Sequence, residues 1–192
     1  MLFFQIVAAW FAADLLTGAV HWFEDRYLDH GTLNFLASVA EENDLHHRKP
    51  TAMILSTGWT NMKSAAAVGW PLAFALWWHG AAPFVWLVPF FASFGNLVHR
   101  FAHMPRKQVP RWIRGLQEFG IFISFEHHDL HHRSMKQLIP KHLAGYKFCP
   151  MTDWVNPIVD RIGLWHAIEH ALSRLGLRTT KQKLLDSPKS DG

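Results

Sequence analysis

One cysteine in 192 residues leaves the chain without a disulfide framework and without the thiolate clusters that structural zinc sites favour. Cys149 alone cannot close an intramolecular bridge and reads as a small buried residue. Basic residues are missing from the start: no Lys or Arg precedes Arg26, and no small-residue cleavage site stands out. Residues 1–20 therefore lack the marks of a cleaved secretory signal and read as a retained apolar helix. Also lacking are a Gly-rich phosphate loop, a dinucleotide fingerprint, a Ser/His/Asp arrangement and internal repeats. Nucleotide-dependent and serine-hydrolase chemistry are thereby disfavoured. The formal charge of +4 is small, and anionic lipid headgroups account for it, so no nucleic-acid partner is expected.

What the chain does have is apolar length and aromatic mass, with ten Trp and fifteen Phe. Its mean hydropathy of +0.00 averages long apolar stretches with a polar, histidine-rich remainder. Residues 1–20 carry one charge, Asp14, and are long enough to cross ~30 Å of hydrocarbon. Residues 64–78 and 83–103 are read as two further spans joined by the polar turn HGAAP. Pro71 and Pro89 are compatible with that, since neighbouring helices can satisfy the freed carbonyls, and Trp77, Trp78 and Trp86 suit an interfacial belt. Lys and Arg gather in the other connections, from Arg48 and Lys49 to Arg133 and Lys136, so the turn is expected outside and the histidines on the cytoplasmic side. Residues 113–125 are too short to cross and would carry the histidines after them to the wrong face, so an interfacial or re-entrant helix is expected there. Residues 140–157 read as ordered loop and 158–176 as one amphipathic helix. The fold class expected is all-α: an integral membrane helical bundle of about three transmembrane helices, an interfacial or re-entrant helix and a cytosolic His-rich cap. Residues 1–178 form its one domain and residues 179–192 a flexible tail.

Nine of the fourteen histidines fall in four compact groups: His21; His46 and His47; His99 and His103; and the EHHDLHH run with His127, His128, His131 and His132. On a helix, residues four apart share a face, so the run presents imidazoles in adjacent stripes. Imidazole suits Zn, Cu, Fe and Ni alike, but nine rings exceed what one ion can use. Neutral rings leave a bound cation uncompensated, so acidic partners are needed to orient them; Asp14, Asp25, Glu126 and Asp129 are candidates. Asp14 stands out because an ionisable group inside an apolar span is costly. His166 and His170 repeat the spacing without a neighbouring cluster and read as solvated surface. Two irons that activate dioxygen against a hydrocarbon chain fit best. A di-iron hydroxylase, a zinc-dependent membrane hydrolase and a non-catalytic metal transporter remain as alternatives.

The segments ADLLTGAVHWFED, HHRKP, NLVHRFAH, EHHDLHH and CPMTDWVNPIVDRIGLW, in that order over residues 13–169, resemble the lipid desaturase domain family. The resemblance implies a membrane di-iron, O2-dependent desaturase whose metal ligands map onto His21, His46, His47, His99, His103, His127, His128, His131 and His132, with Asp25 and Asn156 near the site. It implies a phospholipid substrate, the leading product being the vinyl ether of a plasmalogen formed from a 1-alkyl ethanolamine phospholipid, with acyl-chain desaturation as the alternative. Electrons are then expected from a separate donor of the cytochrome b5 or ferredoxin type, since no flavin, haem or iron–sulfur motif is visible.

Overall fold

The computed structural model describes residues 1–28, 36–136 and 146–180, and every regular element among them is helical. The expected all-α class holds there. Residues 140–145 of the expected loop and 181–192 of the expected tail lie outside the described residues; the loop's last three residues, 155–157, are helical, and Thr179 is buried.

The first helix, α1 (Leu2–Tyr27), is 26 residues long, about 39 Å at 1.5 Å per residue. Among the described residues it is the one helix long and apolar enough to cross a membrane. It has no proline, and small residues mark where other elements press against it: Ala9, Ala13 and Gly18 are buried. Two short helices follow, α2 (Ala37–Arg48) and α3 (Ala52–Leu55). Then α4 (Gly58–Trp78) begins under a Thr57 cap, whose hydroxyl accepts from Thr60 N. Across the HGAAP turn, α5 (Pro83–Ala92) packs against both α1 and α4.

The stretch expected as one span at 83–103 is two helices. After α5 the chain kinks at Ser93 and Phe94 and resumes as α6 (Gly95–His103). Ser93 Oγ–H donates to Phe90 O at 2.6 Å and accepts Trp70 Nε1–H at 2.9 Å, so a side chain enters the helix ladder where the break falls. Gly95 then passes so close to α1 that a Cβ there would lie 2.8 Å from Thr17.

The stretch at 113–125 also differs from the single helix expected. Helix α7 (Arg111–Glu118) stops early, and Gly120 takes φ +68°, where an added Cβ would strike Trp154 Nε1 at 2.5 Å. Residues 119–124 run instead as an irregular strap, held by Ile123 N–H to Met151 O and Asp153 N–H to Gly120 O. This turn delivers Ser124 as the N-cap of α8 (Phe125–Met135), its hydroxyl accepting from His127 N. The amphipathic helix expected at 158–176 is broken at Gly163, φ +67°, into α9 (Val155–Arg161) and α10 (Leu164–Arg174).

Two apolar clusters hold these pieces together. One contains Trp22, Tyr27, Phe148, Cys149, Val155, Val159 and Trp165; the other contains Ala13, Val98, Ala102, Ile123 and Met151. The non-helical residues 146–154 feed both, which places an irregular segment at the centre of a helical protein.

Candidate metal centre

Four helix ends converge on one buried place. From α1 come His21 and Asp25, one turn apart; α2 contributes His46 and His47; α6 contributes His99 and His103; and α8 contributes His128, His131 and His132. The side chains sort into two groups. His46, His99, His103, His128 and His132 form one, and His21, Asp25, His47 and His131 the other, with the candidate ligand atoms of each group within 4.8 Å of one another. Helices α2 and α8 straddle both groups, whereas α1 serves only the second and α6 only the first. The groups adjoin, the His21 and His131 rings lying 4.7 Å apart within the second and His21 and His99 5.5 Å apart across the two.

The geometry is compatible with metal binding. His99 Nε2 lies 2.6 Å from His128 Nε2 and 3.1 Å from His103 Nε2, and His132 Nε2 lies 3.0 Å from His128 Nε2. Burial pushes the His46, His128 and His132 imidazoles well below the usual range, with the neighbouring rings adding to the effect. Neutral imidazole is the metal-binding form. Several buried atoms also have no hydrogen-bond partner among the described residues: both nitrogens of His46, Nε2 of His21 and His131, and Oδ2 of Asp25. An orphaned buried polar atom costs about 1–3 kcal/mol, so such a concentration is a poor structural device but a fitting ligand set.

Among the described residues Asp25 is the single carboxylate of the two groups, its side chain fully buried. Its Oδ1 lies 2.7 Å from His47 Nε2 and accepts from Asn43 Nδ2 at 2.9 Å; its Oδ2 lies 3.2 Å from His131 Nε2. Asn43 stands one helical turn before His47, a spacing legible in the sequence, and is not among the residues expected at the site.

Other expected residues lie elsewhere. His127 joins neither group; its Nδ1 sits 3.6 Å from Asp153 Oδ1, and burial followed by the Lys147 charge lowers its pKa to about 4. Glu126 is exposed, and Asp129 makes a 3.9 Å pair with Arg133 on the surface of α8. Asp14 is fully buried, but it accepts from Met151 N at 2.7 Å, Thr152 N at 3.1 Å and Thr152 Oγ1 at 2.7 Å, away from both groups. Asn156 closes a two-way bond on Cys149, accepting from its N–H and donating to its carbonyl. His166 and His170 are exposed and belong to neither group.

Comparison with known proteins agrees with the sequence motifs. The profile described as the lipid desaturase domain matches residues 10–182. The chain is 30% identical over 171 residues to a probable fatty acid desaturase of Acanthamoeba polyphaga mimivirus, covering 87% of this chain and 80% of the viral protein. It is 27% identical to the chloroplastic fatty acid desaturase 4-like 2 of Arabidopsis thaliana and 26% identical to plasmanylethanolamine desaturase 1 of Mus musculus. Those alignments cover 89% and 88% of this chain but 60% and 64% of the relatives, so the chain spans somewhat under two thirds of their length. No solved structure matches it.

Proposed function

We propose that this chain, which belongs to the lipid desaturase domain family, is a membrane di-iron desaturase that uses O2 to place one double bond in the hydrocarbon chain of a phospholipid. The observation that carries the reading is the pair of adjoining buried groups, five histidines beside three histidines and an aspartate. That donor set, nitrogen-rich with one carboxylate and no thiolate, suits iron better than a structural zinc site.

His46, His99, His103, His128 and His132 would hold one iron, and His21, Asp25, His47 and His131 the other. Bound there, the irons supply the oxygen activation that no protein side chain provides. Overall, a –CH2–CH2– unit, O2, two electrons and two protons become –CH=CH– and two waters. The electrons come from a separate carrier, of the cytochrome b5 or ferredoxin type, and exposed Arg106, Lys107 and Arg111 offer an acidic donor a basic surface.

The chain's own residues bind and orient the substrate. A cavity of about 250 Å³ reaches the five-histidine group along His103, His128 and His132. Ala102 and Phe125 give it apolar wall, while Arg133 and Lys136 stand at its polar side, suited to a headgroup phosphate. A lipid seated this way brings carbons close to the glycerol nearest the histidines. Support for a bilayer setting comes from α1, most of whose apolar surface other elements leave uncovered, and from exposed Val68, Leu72, Phe74, Trp77 and Trp78 on α4. The basic connections support a cytoplasmic side for the histidine groups.

The leading product is the vinyl ether of a 1-alkyl ethanolamine phospholipid, with an acyl-chain double bond as the alternative. Lipid mass spectrometry of a host expressing the chain, with His131→Ala as control, tests it. A species lighter by two hydrogens should appear with the native chain only, and mild acid should release an aldehyde from it if it is a vinyl ether. A product that gains oxygen and keeps its hydrogens would make the enzyme a hydroxylase.

A further inference from the structure

The two metal groups are oriented by different means. In the five-histidine group, four rings stand as i, i+4 pairs on α6 and α8, and their Nε2 atoms approach one another directly. Helix spacing brings those pairs onto one face. In the other group, His21 and His131 come from different helices and are each turned by a main-chain carbonyl of one non-helical segment. His21 Nδ1 lies 3.0 Å from Phe148 O, and His131 Nδ1 lies 2.7 Å from Tyr146 O. The buried Phe148 ring packs against both imidazoles, with centroids 6.1 and 5.4 Å away. An imidazole that donates through Nδ1 presents Nε2 as its ligand atom, so these carbonyls select the tautomer as well as the angle.

Those two carbonyls belong to a stretch that, among the described residues, is not part of a helix. Side chains hold the segment at several points. The two oxygens of Asp160 accept from Tyr146 N at 3.2 Å and Lys147 N at 3.3 Å. Asn156 grips both the N–H and the carbonyl of Cys149, at 2.9 and 2.7 Å, and Asp14 fastens the segment further along at Met151 and Thr152. Asn156 and Asp160 both stand on α9, so one short helix holds the stretch that carries both carbonyls.

We infer that Asn156 and Asp160 are positioning residues for one metal position only. They fix the Tyr146 and Phe148 carbonyls, which turn His131 and His21; the five-histidine position does not depend on them. The inference rests on the two-iron reading above, and its consequence is that the iron load is divisible. Loosening the segment empties the position of His21, Asp25, His47 and His131 and leaves its neighbour filled. Asp14 is a poorer probe, because it fastens Met151 and Thr152, beyond the two carbonyls.

The test compares native protein, Asn156→Ala, Asp160→Ala and Asp160→Asn, purified in detergent, reconstituted with ferrous iron and oxidised in air. Iron per chain, electron paramagnetic resonance and helix content by circular dichroism are measured. Native protein should carry about two irons, one per group, with little signal from isolated ferric ion because a coupled pair is silent. Both alanine variants should keep their helix content, fall to about one iron and gain the resonance of an isolated high-spin ferric ion. Asp160→Asn, which keeps one acceptor oxygen, should load between Asp160→Ala and native. Two irons retained in both folded alanine variants would overturn the inference, as would loss of both irons together at full helix content. If Asn156→Ala loses helix, the half-buried Asp160 decides alone. Native protein without iron would sink the di-iron reading itself, an outcome distinct from either.

Discussion

At the scale of single residues, the centre is defined by protonation as much as by position. His46, His128 and His132 are held neutral by burial, so their folded pKa values lie below the ~6.5 of an unfolded histidine. The unfolded chain therefore binds more protons as pH drops through that value, and the stability contributed by the neutral rings is present above it and lost below it. We expect the thermal midpoint of the metal-free protein to fall between pH 7 and pH 5, and bound iron to be released over the same range. A flat midpoint would mean that the rings are solvated rather than packed together. Gly18 makes a second residue-scale point: a Cβ there would lie 2.6 Å from Cys149 Sγ and 3.0 Å from Cys149 Cα. Gly18→Val should destabilise by about 1–3 kcal/mol through overpacking, measured by chemical denaturation. Because it pushes on the segment that turns His21 and His131, it should also lower iron content.

At the scale of elements, hydrophobic pattern located the helices better than it located their breaks. The apolar stretch at 83–103 reads as continuous because Ser93 and Phe94 carry no strong helix-breaking signal, and only the bond between Ser93 and Trp70 of α4 shows why the chain yields there. Gly120 and Gly163 are ordinary letters in an apolar run until their positive φ values end α7 and separate α9 from α10. Helix α8 shows the same limit in a functional element. Its spacing allows two stripes of histidine, but packing against residues 146–154 turns His127 toward Asp153 and leaves three rings for the two groups. His127→Ala should accordingly retain iron far better than His128→Ala, a comparison that metal analysis of the two purified variants makes directly. Equal loss from both would return His127 to the ligand set.

At the scale of the whole molecule, the proposal requires all four helix ends that carry the groups to lie on one side of the membrane. A cysteine introduced at Gly80, in the turn between α4 and α5, should react with an impermeant reagent from outside, and cysteines at Lys107 and Lys136 only after the membrane is opened. Labelling of Lys136→Cys from outside would separate α8 from α6 across the bilayer and break the shared site. The sequence by itself determined the chemical inventory: an apolar chain without thiolate clusters, histidines at helical spacing, and ordered motifs that belong to the lipid desaturase domain family. Those are local properties, readable from composition and from neighbours within a turn or two. Only the tertiary structure decided that the rings divide five and three, that Asp25 is the carboxylate among them, and that Asp14 and Asn156 serve the segment beside the site. The physical reason is that these contacts join residues far apart in the chain, such as His21 and Phe148, separated by 127 positions. At Phe148 the partner is a backbone carbonyl, a group every residue possesses, so no side-chain pattern could have announced it.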